Sequence, residues 1–456
     1  MGANICIPRR ASTSTSRSTM TGVSYMETTM ATKPHAYRRF SLAERDRRWH
    51  AVRQLMRRDD LAALIAPPNP GNSTDWQADA RYLSHCGGGA DTSIGVVFPL
   101  DGDVTVVAAS AKERWGPLIQ DWVSDVRTVN RQFGAAMGER LRELGLDGQR
   151  IGVSGLKGGT RTPEGTIMHG TFRALTEALP GAEFVDASEL MQDVREVKSD
   201  EEIAVLQRSI DIVECALNAQ LRAAQPGVPD YVVWAETMHE MFRRGSELSV
   251  HFNWLSGANP GRTLTRPTAR PLERGDLILG EIEASVLGYR AQRLPVVAVN
   301  SCAPIIRDLS IAHGALYESL LRIMRAGVTV REMIEATVAI AHKIAPQRGP
   351  LAGLRASLIL HGRGLGDDRP LVLTKLDGIP FYDATTRALD ARLADNGVYI
   401  LKPAVATADG AFEFAWGDTV RVTREGALRM GKMPHGLQIS LPGSFSDWPT
   451  DITVYS

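Results

Sequence analysis

The hydrophobic positions in the first half of the chain indicate short buried strands that alternate with helices. Ser41 and Glu44 form a capping-box pattern, which opens a helix that we predict to run to about Met56. Two apolar runs farther on flank an Asp-Gly turn and predict a hairpin or a pair of adjacent strands. The predicted strands are residues 61–66, 94–98, 104–109 and 150–153, and further helices are predicted near residues 135–144 and 166–178. This alternation is typical of an α/β segment.

The second half of the chain combines longer amphipathic helices with strand-like runs. Two capping boxes, Ser199 with Glu202 and Thr329 with Glu332, each open a helix. Helices are predicted from residue 199 to about 225 and over 231–244, 309–324 and 330–345, and strands over 277–283, 296–300, 357–360 and 398–401. This pattern predicts an α+β domain with its helices on one face of the sheet, and a boundary between the two halves near residues 190–195.

Both ends of the chain are predicted to lie outside the fold. Residues 1–36 are rich in Ser, Thr and Arg, carry one acidic residue and show no apolar periodicity. We interpret them as a disordered extension or as an upstream segment from a misassigned start, and a transit peptide is the alternative. The predicted domains are then residues 37–192 and 193–445, followed by a tail over residues 446–456.

Composition and charge narrow the classes of function. The 456 residues carry 52 basic and 52 acidic side chains, so no positive excess is available for binding nucleic acid. No run approaches about 18 uninterrupted apolar residues, so we expect no membrane-spanning helix. The four cysteines lie far apart and without CxxC spacing, which argues against a zinc knuckle or a disulfide framework. The sequence therefore predicts a cytoplasmic protein that binds neither nucleic acid nor a membrane.

Two short segments carry side chains suited to chemistry. A strand over residues 277–283 places Glu281 and Glu283 on one face, where paired carboxylates need either solvent or a compensating cation, proton or substrate. His361 ends another apolar strand beside glycines, where a substrate can approach closely and a histidine can exchange a proton near neutral pH. Each segment also has an explanation without chemistry. For the glutamates it is a strand end that reaches solvent, and for His361 it is a structural role.

A series of short motifs makes the second half similar to a known family. The chain resembles the creatinase, aminopeptidase P and prolidase family over about residues 195–426. The motifs, in the family's order, are Val197–Ile203, Gly257–Asn259, Pro267-Thr268, Arg274–Leu279, Gly288-Tyr289, His361–Leu365, Lys402-Pro403 and Gly417–Val420. The resemblance implies a C-terminal pita-bread domain preceded by a smaller creatinase-type α/β domain. It also implies a homodimer.

Most of the family's metal-binding residues are replaced in this chain. Peptidases of the family hold two divalent metals with two Asp, one His and two Glu, and the corresponding residues here are Glu281, Gln292, His361, Lys402 and Gly417. Only Glu281 and His361 are strong ligands, and an ammonium at residue 402 would repel a cation. We therefore expect neither a metal nor another cofactor.

In our hypothesis Lys402 supplies the positive charge itself. Its ammonium is predicted to lie against Glu281, with Glu283 as a further partner, and to keep one of these carboxylates ionised as general base or nucleophile. His361 then moves protons. An inert salt bridge in an inactive site is the alternative. The candidate substrate-binding residues are Gln292, Arg293, Arg363, Asp367, Asp368 and His251.

These considerations predict a metal-independent, creatinase-like hydrolase that cleaves a C–N bond of a small polar metabolite. Because Lys402 would repel the guanidinium that creatinase binds, we expect an anionic substrate, with Arg363 or Arg293 as helpers. The alternatives are a metal-dependent Xaa-Pro aminopeptidase or dipeptidase, a lyase of the same family, and a non-catalytic binding protein on the same scaffold.

Overall fold

The structure is a computed structural model. It describes residues 39–69, 77–87, 93–109, 121–157, 162, 164–248, 252–261, 266–366, 368–382 and 386–440. The predicted N-terminal extension and C-terminal tail lie outside these residues, and so do the candidate site residues His251 and Asp367. The domain boundary near residues 190–195 stays a prediction. No helix in the described part of the chain is long and apolar enough to cross a membrane.

The first half of the chain builds a six-stranded sheet with five helices among its described residues. The strands are β1 Ala63–Ala66, β2 Ile94–Pro99, β3 Thr105–Ala108, β4 Asp125–Thr128, β5 Arg150–Val153 and β6 Glu183–Asp186. The helices are α1 Leu42–Arg58, α2 Ala78–Ser84, α3 Phe133–Glu143, α4 His169–Ala178 and α5 Ser188–Glu196. The strand order is β4-β3-β2-β1-β5-β6. Strands β2 and β3 pair antiparallel, so the predicted hairpin is confirmed.

Helix layers on both faces explain why the central strands β1 and β2 of this sheet are continuously apolar. In β1, Ala63 and Ile65 pack in the cluster that contains α3 and α4, whereas Leu64 and Ala66 pack in the cluster that contains α1. A strand that is buried on both faces has no polar face to show in its sequence. The first half is therefore a sheet between two helix layers, as its α/β pattern predicts.

The second half builds a larger, mostly antiparallel sheet of twelve strands. They are β7 Phe252–Gly257, β8 Leu277–Val286, β9 Tyr289–Leu294, β10 Val296–Val299, β11 Arg355–Gly362, β12 Leu371–Thr374, β13 Pro380–Tyr382, β14 Val398–Ala406, β15 Glu413–Ala415, β16 Gly417–Val422, β17 Ala427–Arg429 and β18 Leu437–Ser440. The helices are α6 Asp200–Ala223, α7 Asp230–Arg243, α8 Pro304–Ile323, α9 Val330–Ile344 and the short α10 Thr386–Asp390. The central strand order is β13-β12-β11-β14-β16-β9-β8-β10-β18, and β7 pairs with β8.

The long helices of this half pack on one face of the larger sheet, as predicted. Helices α8 and α9 pack in the cluster that contains Leu401, and α6 packs in the cluster that contains Ile282. Successive residues of a strand point to opposite faces. Lys402 and Glu281, which neighbour these apolar residues in sequence, therefore point away from the helices.

Local capping interactions determine where the long helices begin. At the start of α6, Ser199 accepts the backbone N–H of Glu202, and the Glu202 carboxylate accepts the backbone N–H of Ser199. The predicted box of α9 forms in the same way. In α1 only half of the box forms, because Ser41 caps the N–H of Glu44 while the Glu44 carboxylate pairs with Arg48 at 2.7 Å.

The burial of His313 on α8 predicts that the fold is sensitive to acid. Its ring is fully buried, its Nε2 donates to the carbonyl of Pro403 at 3.0 Å, and burial lowers its pKa to about 4. A histidine in the unfolded chain takes up a proton near its ordinary pKa of about 6.5, so the stability present above that pH is lost as the pH falls toward 4. Between pH 7 and pH 5, we expect the free energy of unfolding to fall by about 2 kcal/mol through this residue.

Urea unfolding at the two pH values measures this loss. In His313→Gln the residue no longer titrates, so the loss should be smaller by about 2 kcal/mol. The matched control is His342→Gln, which changes an exposed histidine on α9 and should leave the loss as it is in the unmodified protein. The same pH dependence in His313→Gln and in the unmodified protein would contradict the prediction.

Candidate active site

Strand register brings the principal candidate residues onto one face of the larger sheet. Glu283 lies directly opposite Gln292 in the β8–β9 pair, and directly paired residues share a face. Strand β16 pairs with β9 and with β14, and β14 pairs with β11. This register places Lys402 on β14 and His361 on β11 on the same face. Glu281 shares this face because it lies two residues from Glu283 on the same strand. Five predicted site residues are therefore neighbours on the face turned away from the helices.

Two ion pairs cross this face and show how strongly the sheet curves. Lys402 Nζ lies 2.6 Å from Glu281 Oε1, and Arg363, directly after β11, pairs with Glu283. Strands β16 and β9 separate β14 from β8. Adjacent strands lie about 4.8 Å apart, so a flat sheet would place β14 roughly 14 Å from β8. The side chains meet because the sheet curls, and the predicted contact between Lys402 and Glu281 is confirmed.

The two glutamates have different surroundings. Glu281 keeps 17% of its side chain exposed and accepts a hydrogen bond from Asn253 Nδ2 at 2.7 Å. Glu283 is fully buried between Arg363 and Arg290, and a nitrogen of Arg290 lies 3.6 Å from Glu283 Oε1. Burying a carboxylate at that depth is costly unless cations lie beside it. Glu281 is thus the carboxylate with a route to solvent, and Glu283 anchors two arginines.

His361 is buried at the end of β11 and uses one ring nitrogen locally. Its Nδ1 lies 3.1 Å from the carbonyl oxygen of Gly362. A carbonyl oxygen only accepts, so the proton of the neutral ring sits on Nδ1. Nε2 is then the nitrogen that can take up and release a second proton.

Gln292 is held through its backbone, while its amide is fully buried. Its N–H donates to Thr419 Oγ1 at 2.9 Å, and Thr419 Oγ1 donates to its carbonyl oxygen at 2.9 Å. The side chain is 0% exposed. Neither Oε1 nor Nε2 has a hydrogen-bond partner among the residues that the structure describes.

Gly417 on β16 leaves room for the lysine. A Cβ atom at this position would lie 2.5 Å from Lys402 Cγ and 2.8 Å from the carbonyl oxygen of Leu401. Neither distance is compatible with an ordinary side chain. The close approach of β16 to β14 beside the lysine therefore depends on a glycine.

Two predicted substrate-binding residues are placed elsewhere. Arg293 points to the helix-covered face of β9, where its guanidinium binds Glu214 at 2.7 Å. Asp368 lies in the loop after β11 and pairs with Lys198 at 2.9 Å and with Arg195 at 3.1 Å. Burial raises the pKa of Asp368, but these two cations outweigh it and hold the pKa below its ordinary value. Both side chains join elements of the fold, and the structure brings neither to the strand face described above.

Sequence reasoning missed two polar residues of this face. Arg290 precedes Gln292 by two residues, so the two-residue period of a strand could have identified it. Asn253 meets Glu281 because these residues are directly paired between β7 and β8. No local sequence signal indicates that pairing.

Two family models match adjacent parts of the chain. The model described as Creatinase/Prolidase N-terminal domain matches residues 48–197, and the model described as Metallopeptidase family M24 matches residues 204–424. The chain belongs to the M24 family of creatinases, aminopeptidases P and prolidases. This M24 protein has a creatinase-type N-terminal domain followed by a pita-bread domain, so the predicted fold is confirmed.

Individual relatives of this M24 protein differ in the activity that they are named for. It is 27% identical over 300 residues to creatinase of Bacillus sp. (strain B-0618), covering 63% of this chain and 67% of creatinase. It is 23% identical over 274 residues to an Xaa-Pro dipeptidase of Pyrococcus furiosus, covering 59% of this chain and 72% of the dipeptidase. The structure of an X-Pro aminopeptidase from Thermotoga maritima has the same fold, with a TM-score of 0.67, 17% identity and coverage of 86% and 99% of the two chains. These comparisons support an M24 hydrolase and leave its substrate open.

The side chains on this strand face do not fit the metal centre that the name Metallopeptidase implies. Among the described residues, no three His, Cys, Asp or Glu side chains lie together so that they could hold a metal ion. The ammonium of Lys402 contacts Glu281, the more accessible carboxylate, and would repel a dication placed there. The neutral amide of Gln292 is a weak replacement for a carboxylate ligand.

The buried pair of Arg363 with Glu283 predicts a large effect on stability. Arg363→Met leaves a fully buried carboxylate without its closest cation, and we expect the free energy of unfolding to fall by about 3–5 kcal/mol. Arg355→Met is the matched control, since Arg355 lies on β11 and its pair with Asp377 is 35% and 40% exposed. The control should lose less than about 1 kcal/mol. Urea unfolding at pH 7 measures both variants, and equal losses would contradict the anchoring role of the buried pair.

Proposed function

We propose that this protein is a metal-independent, creatinase-like hydrolase that cleaves a C–N bond of a small anionic metabolite. The observation that carries the proposal is the contact of 2.6 Å between Lys402 Nζ and Glu281 Oε1. An ammonium fixed in this way favours the ionised form of the carboxylate without a metal ion. The similarity to a creatinase supports the reaction class.

Glu281 acts as the general base in this proposal. Lys402 holds its Oε1 and Asn253 holds its Oε2, which orients the carboxylate while part of it remains exposed. The carboxylate takes one proton from a water molecule as the water oxygen adds to the carbon of the C–N bond. Glu283 is a positioning residue, because its side chain is fully buried and presents no exposed surface to a water molecule.

His361 acts as the general acid. With Nδ1 bonded to the carbonyl of Gly362, the protonated ring presents its second proton on Nε2. That proton passes to the leaving nitrogen as the C–N bond breaks, which avoids release of an anionic amide. Transfer of the proton held by Glu281 through solvent to the ring then restores the starting state.

The charges on this face favour an anionic substrate. Arg363 and Arg290 flank the buried Glu283, and the ammonium of Lys402 lies beside Glu281, the carboxylate that keeps part of its side chain exposed. The ammonium of Lys402 attracts the carboxylate of a substrate and disfavours a guanidinium. This charge pattern separates the proposed substrate from creatine, although the reaction class is the same.

A metal-dependent Xaa-Pro peptidase is the second candidate. It is supported by the similarity to an Xaa-Pro dipeptidase of Pyrococcus furiosus.

We also propose that the protein is a cytoplasmic homodimer, as expected from the family resemblance. Analytical ultracentrifugation of the purified chain tests the dimer.

The substitution Lys402→Met should lower kcat by at least about 100-fold, because Glu281 loses the cation that keeps it ionised and oriented. The matched control is Lys432→Met, which removes a lysine that is 68% exposed and lies 3.7 Å from Asp211, and which should retain full turnover. Hydrolysis is measured on N-carbamoyl and N-acyl amino acids, creatine and Xaa-Pro dipeptides, with circular dichroism as the check on folding. Unchanged turnover in the Lys402 variant contradicts the catalytic role of the pair, and no turnover of any compound by the unmodified protein favours a binding protein.

Elemental analysis tests the metal-independent part of the proposal. After dialysis, the active protein should hold far less than one equivalent of zinc, manganese, cobalt or iron, and EDTA should leave turnover unchanged, because the donor set offers too few anionic ligands. A stoichiometric metal, together with Xaa-Pro cleavage that EDTA abolishes, would instead establish the peptidase.

A further inference from the structure

A fully buried side-chain amide lies without described partners on the face proposed as the active site. Gln292 is 0% exposed, and both Oε1 and Nε2 lack hydrogen-bond partners among the residues that the structure describes. Leaving a buried polar group in this state is energetically costly. Such groups are uncommon in folded proteins and call for an explanation. The amide of Gln220 on α6 is in the same state, so the location of Gln292 on the proposed catalytic face, and not its burial alone, points to a bound molecule.

The backbone of Gln292 directs this amide toward the proposed site. Thr419 Oγ1 binds both its N–H and its carbonyl oxygen at 2.9 Å, which fixes the residue on β9. The direct pairing with Glu283 places the side chain on the same face as the two glutamates. Strand β9 lies between β8 and β14, the strands that the contact of Lys402 with Glu281 joins. In register, Leu294 lies between Lys402 and Glu281, so Gln292 lies two residues along β9 from that ion pair, in the row of Glu283.

The amide of a glutamine offers a carbonyl acceptor and N–H donors side by side. The group that matches both at once is a primary amide, in which an amino group and a carbonyl oxygen share one carbon. Carboxamides and ureido compounds end in this group, which can form two parallel hydrogen bonds with the glutamine. An N-acetyl group places a methyl group against Oε1, and its N–H points to the side opposite to its carbonyl oxygen. A guanidinium offers only donors and would also meet the ammonium of Lys402.

We infer that Gln292 is a specificity-determining residue that recognises a terminal carboxamide or ureido group of the substrate. Lys402, which also holds Glu281, binds the carboxylate at the other end of the same molecule. The inference rests on the proposed function and specifies its substrate class as N-carbamoyl amino acids and similar amido acids. It accounts for a polar side chain that the fold itself leaves without a described partner.

Two compounds of nearly equal shape test the inference. N-carbamoylglycine and N-acetylglycine share a carboxylate, and the first carries an amino group where the second carries a methyl group. Isothermal titration calorimetry of the unmodified protein should give at least about tenfold tighter binding of N-carbamoylglycine, because N-acetylglycine leaves the buried Oε1 unpaired. In Gln292→Met the affinity ratio should fall to about one, since the thioether side chain offers neither a strong donor nor a strong acceptor.

Two further variants complete the design. Gln292→Leu repeats the test should the methionine variant fold poorly, although replacing an unpaired buried amide by an apolar group is expected to be neutral or stabilising. Lys402→Met should weaken both compounds by a similar factor, because both carry the carboxylate. Thermal unfolding of each variant without ligand checks that it is folded.

The outcomes separate the inference from the proposed function. Equal binding of the two compounds by the unmodified protein, binding of neither, or an unchanged ratio in the Gln292 variants overturns the inference, and the amide is then completed by water or not at all. In those cases turnover that still depends on Lys402 leaves the proposed function standing. If Lys402→Met retains both turnover and the affinities for both compounds, the proposed function fails and the inference fails with it.

Discussion

The arrangement of the strand face that carries the candidate site depends on the ion pair between Lys402 and Glu281. It joins β14 to β8 across two intervening strands, and both side chains are largely buried. Removing one member of such a pair leaves a charge with little access to water, which is costly in a medium of low dielectric constant. In a metal centre the positive charge comes from a bound ion. Here the chain itself supplies it through Lys402, and the accessible carboxylate, Glu281, is already paired with that lysine.

Apolar packing holds one face of the larger sheet, and ion pairs hold the other. The helices cover one face of the sheet with apolar side chains, and the opposite face is held together by Arg363 and Glu283. In the loop after β11, Asp368 binds Lys198 near the start of α6. Contacts within the chain thus support the curvature of the sheet around the candidate site.

Much of this architecture can be predicted from local sequence patterns. The capping boxes of α6 and α9 and the α+β character of the second half follow from short-range rules, and so does the hairpin of β2 and β3. The contact of Lys402 with Glu281 follows from charge complementarity at positions that the family resemblance brings together. The placement of Arg293 was predictable from the sequence. It directly follows Gln292 on a strand, so the two side chains point to opposite faces. Asp368 shows a real limit, because its partner Lys198 lies 170 residues away and no local pattern connects them.

The glycine at position 417 limits which side chains can accompany the lysine. A carboxylate there would place its Cβ against the lysine stem and against the carbonyl oxygen of Leu401. Exchange of the lysine alone would remove only the first of these clashes, since the second involves the main chain of the neighbouring strand. A carboxylate at this position would therefore require replacement of the lysine together with a separation of β14 from β16, so residues 402 and 417 constrain each other.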